Sequence, residues 1–295
     1  MVGQSLTNLL LNKGYQVIVL TRQQKQSSRV NFSFAQWDLN KAWIDPAAIA
    51  AADYIIHLAG EGVADKRWTA KRKKAILDSR VQSSALLVKA LKEYPNKVKA
   101  IVAASAIGWY GPDTEQSLQH GFVETDPVDA AFLGDTCKRW EDSVKPVETL
   151  GVKLVSLRIG IVLNKQGGAL AEFIKPAQFG LATIFGTGSQ MVSWIHYKDL
   201  CKMILFGIET NTIHGVYNAV SPDPTSNKDL IIAITKKLRG FYLPILVPAF
   251  VLKIMLGEMS IEILKSAKVS SKKIEDNSFK FDFPTLTSAL DDLLK

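Results

Sequence analysis

The sequence predicts an α/β chain with a doubly wound parallel sheet, and three observations lead there. Strand-length apolar runs alternate with helical stretches, the pattern of βαβ units. Those runs are continuous and rich in β-branched residues, as suits strands covered on both faces. The 295 residues are 47% hydrophobic and 22% charged, an ordinary globular composition long enough for one large domain or two interleaved ones. Disordered, collagen-like and coiled-coil chains are thereby excluded.

Taken in order, Gln4 to Asn12 reads as a short helix with Leu6, Leu9 and Leu10 on one face, and Gly14 ends it. Tyr15 to Leu20 is a strand, Asn31 to Trp37 a weaker one, and Asp53 to Leu58 another that runs into Ala59-Gly60. Thr69 opens a helix that continues past Ser83 to Tyr94. Ala100 to Ala104 is a strand, Leu133 to Leu150 a helix and Lys153 to Leu157 a strand. Beyond the loops at Gly167-Gly168 and Phe185 to Gly188, a helix is expected near Lys198 to Glu209 and a short strand at Val216 to Ala219. Phe241 to Leu256 is the most apolar stretch. Its length, Pro244, Pro248 and Lys253 argue against a membrane span and for a buried hairpin or a substrate-side helix. The expected division is a dinucleotide-binding part, residues 1–163, and a substrate-side region, 164–295, interleaved with the sheet.

Thirty-six Lys and Arg against 28 Asp and Glu give a net charge of +8. The excess is spread along the chain, so it reads as a solvated face and not as a nucleic-acid patch. The basic segment from Lys66 to Lys74 is read the same way. Two cysteines, Cys137 and Cys201, provide neither a disulfide framework nor metal-ligand spacing, so no metal is expected and a reducing, cytoplasmic setting is. The first residues show no signal-peptide pattern.

A dinucleotide site needs a strand, a glycine turn and a helix N-terminus to hold the pyrophosphate. Here the chain enters directly at the helix, where Gly3 can be the last glycine of such a turn, the one that lets helix and strand pack closely. The Rossmann-type domain is therefore expected to be incomplete at its N-terminus. Where an NAD site would carry an acid for the ribose 2′-hydroxyl, the second strand ends in Thr21-Arg22. A hydroxyl and a guanidinium match a 2′-phosphate, so NADP is expected.

Several stretches together resemble the extended short-chain dehydrogenase/reductase superfamily, most closely its atypical "epimerase family protein" branch, related to sugar-nucleotide epimerases. They are His57 to Glu61, Arg67-Trp68-Thr69, Ser79-Arg80-Val81, Ala104 to Gly111, Leu157 to Leu163, Gly186 to Gln190, Ser193 to Leu200 and Phe279 to Pro284. The family's opening strand and glycine turn would lie about ten residues ahead of Met1. The resemblance implies that Thr21 and Arg22 meet the adenosine 2′-phosphate, and that Leu58, Ala59 and Gly60 lie along the cofactor. It also implies that Arg80 stands near the cofactor and Val162 near the nicotinamide. His57 reads as a strand-end packing residue.

Members of the superfamily that move hydride use Ser or Thr with Tyr-x-x-x-Lys, since a phenol near pKa 10 is a poor base without help. Ser105 matches the serine. Alignment on Glu141 places Leu133 at the tyrosine and Cys137 at the lysine, and neither can do that chemistry. Lys138 is rotated about 100° away on a helix. Tyr110 could supply the proton instead, or it packs the turn closed by Gly111-Pro112. Ser105 and Tyr110 are thus the candidate catalytic residues. Arg158, Gln190, Trp194 and His196 match segments lining the pocket of related epimerases, with Arg158 meeting either a substrate anion or a structural carboxylate. The expected function is an NADP-binding, epimerase-like protein acting on a small molecule such as a nucleotide sugar, as epimerase or oxidoreductase. The alternative is a non-catalytic NADP-binding or sensor protein.

Overall fold

The computed structural model describes residues 2–295. Its helices are α1 (Val2–Asn12), α2 (Pro46–Ala51), α3 (Ala70–Glu93), α4 (Glu115–His120), α5 (Phe132–Val144), α6 (Ala169–Ala177), α7 (Tyr197–Glu209), α8 (Asn227–Arg239) and α9 (Ala249–Leu256), followed by α10 (Ser260–Leu264), α11 (Lys272–Asp276) and α12 (Leu286–Leu293). The strands are β1 (Val17–Thr21), β2 (Phe32–Asp38), β3 (Trp43–Ile44), β4 (Tyr54–His57), β5 (Ala100–Ala106), β6 (Lys153–Ile159), β7 (Ile161–Leu163), β8 (Leu181–Phe185), β9 (Met191–Val192), β10 (Trp194–His196), β11 (Gly215–Ala219), β12 (Thr225–Ser226) and β13 (Leu243–Val247).

The fold is α/β with a parallel sheet, as expected. The central strands run β11-β6-β5-β4, all parallel, and β1 pairs parallel with β2. β5 is buried along nearly its whole length, between clusters built on α7 and on α3. Thr69 caps α3 by accepting the Arg72 amide hydrogen, which explains why the helix begins there.

No ladder joins β1 to β4 among the described residues. Residues of β1 alternate in direction: Val17 donates to the Asn31 carbonyl, so Val17, Val19 and Thr21 face β2, while Ile18 and Leu20 face away. Among the described residues, β1-β2-β3 and β11-β6-β5-β4 are thus two separate ladders, and Tyr54, Ile55 and Ile56 of β4 are half-buried. Tyr15 and Tyr54 touch edge to face, with ring centroids 6.4 Å apart.

The apolar stretch at Phe241 to Leu256 corrects an expectation. It forms β13 and α9, and neither is buried: Leu243, Leu246, Phe250 and Ile254 are all more than half exposed. β13 pairs only with β8, and α9 rests mainly on buried Leu252. Apolar periodicity reports a capacity for burial, and here no described residue covers it. The helix expected from Leu133 to Leu150 stops at Val144 and continues as a 3-10 turn through Leu150, because Pro146 cannot donate to the α-helical ladder.

Candidate functional site

In parallel α/β sheets, ligands bind beyond the carboxyl ends of the strands. Thr21-Arg22, the Leu58-Ala59-Gly60 segment and Ser105-Ala106 stand at the ends of β1, β4 and β5, and Gly160 with Val162 follow β6. The Arg22 side chain is exposed and has no carboxylate partner among the described residues. Thr21 Oγ1 accepts the Gln23 amide hydrogen. Gly3 lies in the first turn of α1, but a Cβ there would meet nothing within 4 Å. The close packing expected of Gly3 is therefore not present; the strand against which it would pack has no counterpart among the described residues.

Arg80 is fixed beside the β4 loop. It is buried, donates to the Glu61 and Ile76 carbonyls at 3.0 and 2.9 Å, and lies 4.9 Å from the centroid of Trp140. A Cβ on Gly60 would come within 3.0 Å of the Arg80 guanidinium carbon, so the glycine makes room for the arginine. Burial lowers the pKa of Arg80 from its ordinary value. Arg72 corrects the reading of Lys66 to Lys74 as wholly solvated. Its side chain is only 13% exposed, and it clamps the same loop by binding Glu61 at 2.9 Å and the Gly62 carbonyl.

Leu133 and Cys137, the residues that the alignment sets at the pair positions, both lie against Gly108. A Cβ on Gly108, just after β5, would meet Leu133 Cβ at 3.1 Å and Cys137 Sγ at 3.6 Å. Cys137 Sγ bonds the Ala106 carbonyl at 3.5 Å, and burial pushes its thiol up to about 12. A thiol that stays protonated is neither a nucleophile nor a substitute for a lysine.

Ser105 and Tyr110 belong to one buried chain of hydrogen bonds. Ser105 Oγ donates to Glu141 Oε1 at 2.6 Å, and Glu141 takes two further bonds from Arg158. Arg158 Nη1 donates to the Tyr110 hydroxyl at 3.1 Å and to the Glu124 carbonyl, and the Tyr110 hydroxyl donates to Asn218 Oδ1 at 2.7 Å. Tyr110 is fully buried and stacks on Phe122; burial pushes its phenol up to about 12. Of the two readings kept for Arg158, the geometry supplies the structural carboxylate: four of its N–H bonds are engaged, and Trp109 covers its face at 3.6 Å. Glu141 and Asn218, which complete this network, were not among the candidates the sequence pointed to. The available signal was a polar residue in an otherwise apolar strand at Asn218, and Glu141 served only to align the helix.

The remaining substrate-side candidates are buried and bonded within the protein. Gln190 Nε2 donates to the Phe185 carbonyl, and Trp194 Nε1 to the Asp223 carbonyl. His196 is fully buried. Its Nδ1 accepts the Lys198 amide hydrogen and its ring stacks on Phe283 at 3.9 Å. Desolvation pulls it down to about 4 despite Asp292 Oδ2 at 3.3 Å. His57, read as a packing residue, is buried with its Nε2 against the Ser83 and Ser84 hydroxyls at 3.2 and 3.1 Å, and burial alone lowers it to about 4. No group of three or more His, Cys, Asp or Glu able to hold a metal occurs among the described residues.

Residues 1–219 match the model of the NAD dependent epimerase/dehydratase family, and residues 247–293 match a domain of unknown function, DUF1731. The chain is 34% identical over 295 residues to epimerase family protein YfhF of Bacillus subtilis, covering 99% of this chain and 94% of that one. It superposes on the crystal structure of human epimerase family protein SDR39U1 (isoform 2) with NADPH at a TM-score of 0.87 and 27% identity, over 99% of this chain and 95% of that one. A nucleoside-diphosphate sugar epimerase from Corynebacterium glutamicum matches at a TM-score of 0.78 and 26% identity, over all of this chain and 56% of that one. With a parallel α/β sheet, a family model spanning most of its length and a relative 34% identical matched over 94% of its own length, the chain belongs to the NAD dependent epimerase/dehydratase family.

Proposed function

We propose that this chain binds NADP(H) along the strand ends and acts on a small molecule of the nucleotide-sugar type, as epimerase or oxidoreductase, without a Tyr-x-x-x-Lys proton relay. The observation that carries the reading is Arg22: an exposed guanidinium at the end of β1, with Thr21 beside it and no acid paired to it. Such a fork suits a 2′-phosphate and leaves the 2′-hydroxyl of NAD without its usual acceptor. The human relative, whose crystal structure contains NADPH, supports the same choice.

Leu58, Ala59 and Gly60 offer backbone to the cofactor, Arg80 holds that loop, and Val162 faces the nicotinamide end. The first turn of α1, in which Gly3 is exposed, favours the phosphates. When bound, the nicotinamide supplies hydride transfer. Ser105 remains the hydroxyl nearest the reacting end, positioned by Glu141. Tyr110, Arg158, Gln190, Trp194 and His196, all buried, hold the substrate side in shape through the bonds described above. Residues 1–163 carry the dinucleotide half and 164–295 the substrate side, with β11 returning to the main sheet. Two buried free thiols suit a reducing, cytoplasmic setting.

A second reading, a cofactor-binding or sensor protein without turnover, is favoured by one observation. Each group that could move a proton at the end of β5 is buried and already bonded. Calorimetric titration with NADPH and NADH tests the shared part of both readings, and equal affinities overturn it. Following NADPH oxidation and sugar inversion with UDP-sugars then separates them: turnover selects the enzyme, and binding without turnover selects the sensor.

A further inference from the structure

We infer that the apolar face formed by residues 241–261 docks on an anionic lipid surface. Phe241, Leu243, Leu246, Phe250, Ile254, Met255 and Ile261 are 56–69% exposed, one succession of large side chains along β13, α9 and α10. On α9 the division is sharp: Leu252 points inward, while Phe250 and Ile254, two residues to either side, lie on the opposite face. An exposed apolar surface of this extent marks an interaction site.

Charge selects the occupant. Between residues 239 and 262 the acids are Glu258 and Glu262, and each is neutralised, by Lys73 at 2.8 Å and by Lys265 at 2.6 Å. Arg239 and Lys253 have no acidic partner among the described residues. Neither does Arg67, whose guanidinium lies against the end of α9 at Gly257. Apolar side chains rimmed by unpaired cations are the arrangement of a segment lying in a bilayer interface. A second copy of this chain would bring the same unpaired cations together across the contact, which opposes association. Strand addition to β13 is opposed as well. Leu243 and Val247 bond inward to β8, so Pro244 occupies an outward position and removes a donor from the free edge. No helix is long and apolar enough to cross a membrane among the described residues, so the segment lies on the surface and does not span it.

The test is co-sedimentation of the full chain with vesicles of phosphatidylcholine alone and of equal parts phosphatidylcholine and phosphatidylglycerol. Sedimentation with the anionic vesicles only, weakened by added salt, is expected. Lys253→Gln should weaken it roughly fivefold, the worth of one cation near such a surface, and Phe250→Ser with Ile254→Glu should abolish it. These side chains are exposed, so unchanged circular dichroism and thermal unfolding should accompany the loss. No sedimentation, or equal sedimentation with neutral vesicles, overturns the inference. So does a dimer in solution that Ile254→Glu splits while the anionic vesicles stay unbound, which identifies a second copy as the occupant.

Discussion

Arg158 and Glu141 meet through two parallel N–H···O bonds, Nε to Oε1 at 2.9 Å and Nη2 to Oε2 at 3.0 Å, with side chains only 3% and 12% exposed. They join the end of β6 to α5, and through Ser105 and Tyr110 they reach β5 and β11. Removing one partner strands the other charge. Glu141→Ala should destabilise the fold by about 3–5 kcal/mol, while the apolar pair Glu141→Leu with Arg158→Met should recover most of that loss. Urea midpoints decide it; a single variant as stable as the parent would show that the pair is open to water.

Tyr110 offers a sharper contrast between structure and catalysis. If its proton served the reaction, Tyr110→Phe would lower turnover by about 10²–10⁴-fold. Its hydroxyl is instead shared between Asn218 and Arg158 inside the protein. The expected outcome is a stability loss of roughly 1–3 kcal/mol from the unpaired Asn218 oxygen, with NADPH affinity unchanged. A collapse of turnover in a variant that remains folded would place Tyr110 at the reacting atoms.

Arg22→Ala should weaken NADPH and leave NADH binding as it was. A charge-assisted hydrogen bond contributes roughly 1.5–3 kcal/mol, so about tenfold or more is expected. Equal weakening of both cofactors would remove Arg22 from the 2′-phosphate.

The strand–helix alternation was legible where strands are mainly apolar runs, as in β1, β4 and β5, and where a helix carries a cap or a stop. Thr69 before α3 and Gly14 after α1 are examples. The helix that carries Leu133 and Cys137 was legible too; the two stand one helical turn apart and both meet Gly108. Partners distant in sequence were not legible. Glu141 finds Ser105 across 36 positions and Tyr110 finds Asn218 across 108, and no local periodicity encodes such pairs. Nor can an apolar run state whether it will be covered: of the buried hairpin and the substrate-side helix expected for residues 241–256, a helix forms, but most of the stretch lies exposed.

His57 predicts a pH dependence. Burial holds its folded pKa near 4, below the unfolded value of 6.5. The unfolded chain therefore binds the proton more readily, and this stabilising contribution is complete above about pH 6.5 and lost as pH falls toward 4. The loss should amount to about 3 kcal/mol. In His57→Leu that part of the slope should vanish. Ser83 and Ser84 keep their bonds to the Ser79 and Arg80 carbonyls, so the variant should fold. An acid slope identical in the two proteins would assign the effect to other groups.

The edge of β1 away from β2 makes a prediction that needs no ligand. In β1 the amides of Val19 and Thr21 face β2, while those of Ile18 and Leu20 face away from it and have no acceptor among the described residues. Unbonded amides exchange without local opening, so Ile18 and Leu20 should exchange far faster than Val19 and Thr21 by NMR. Protection at Ile18 and Leu20 equal to that at Val19 and Thr21 would mean that this edge of β1 is already covered.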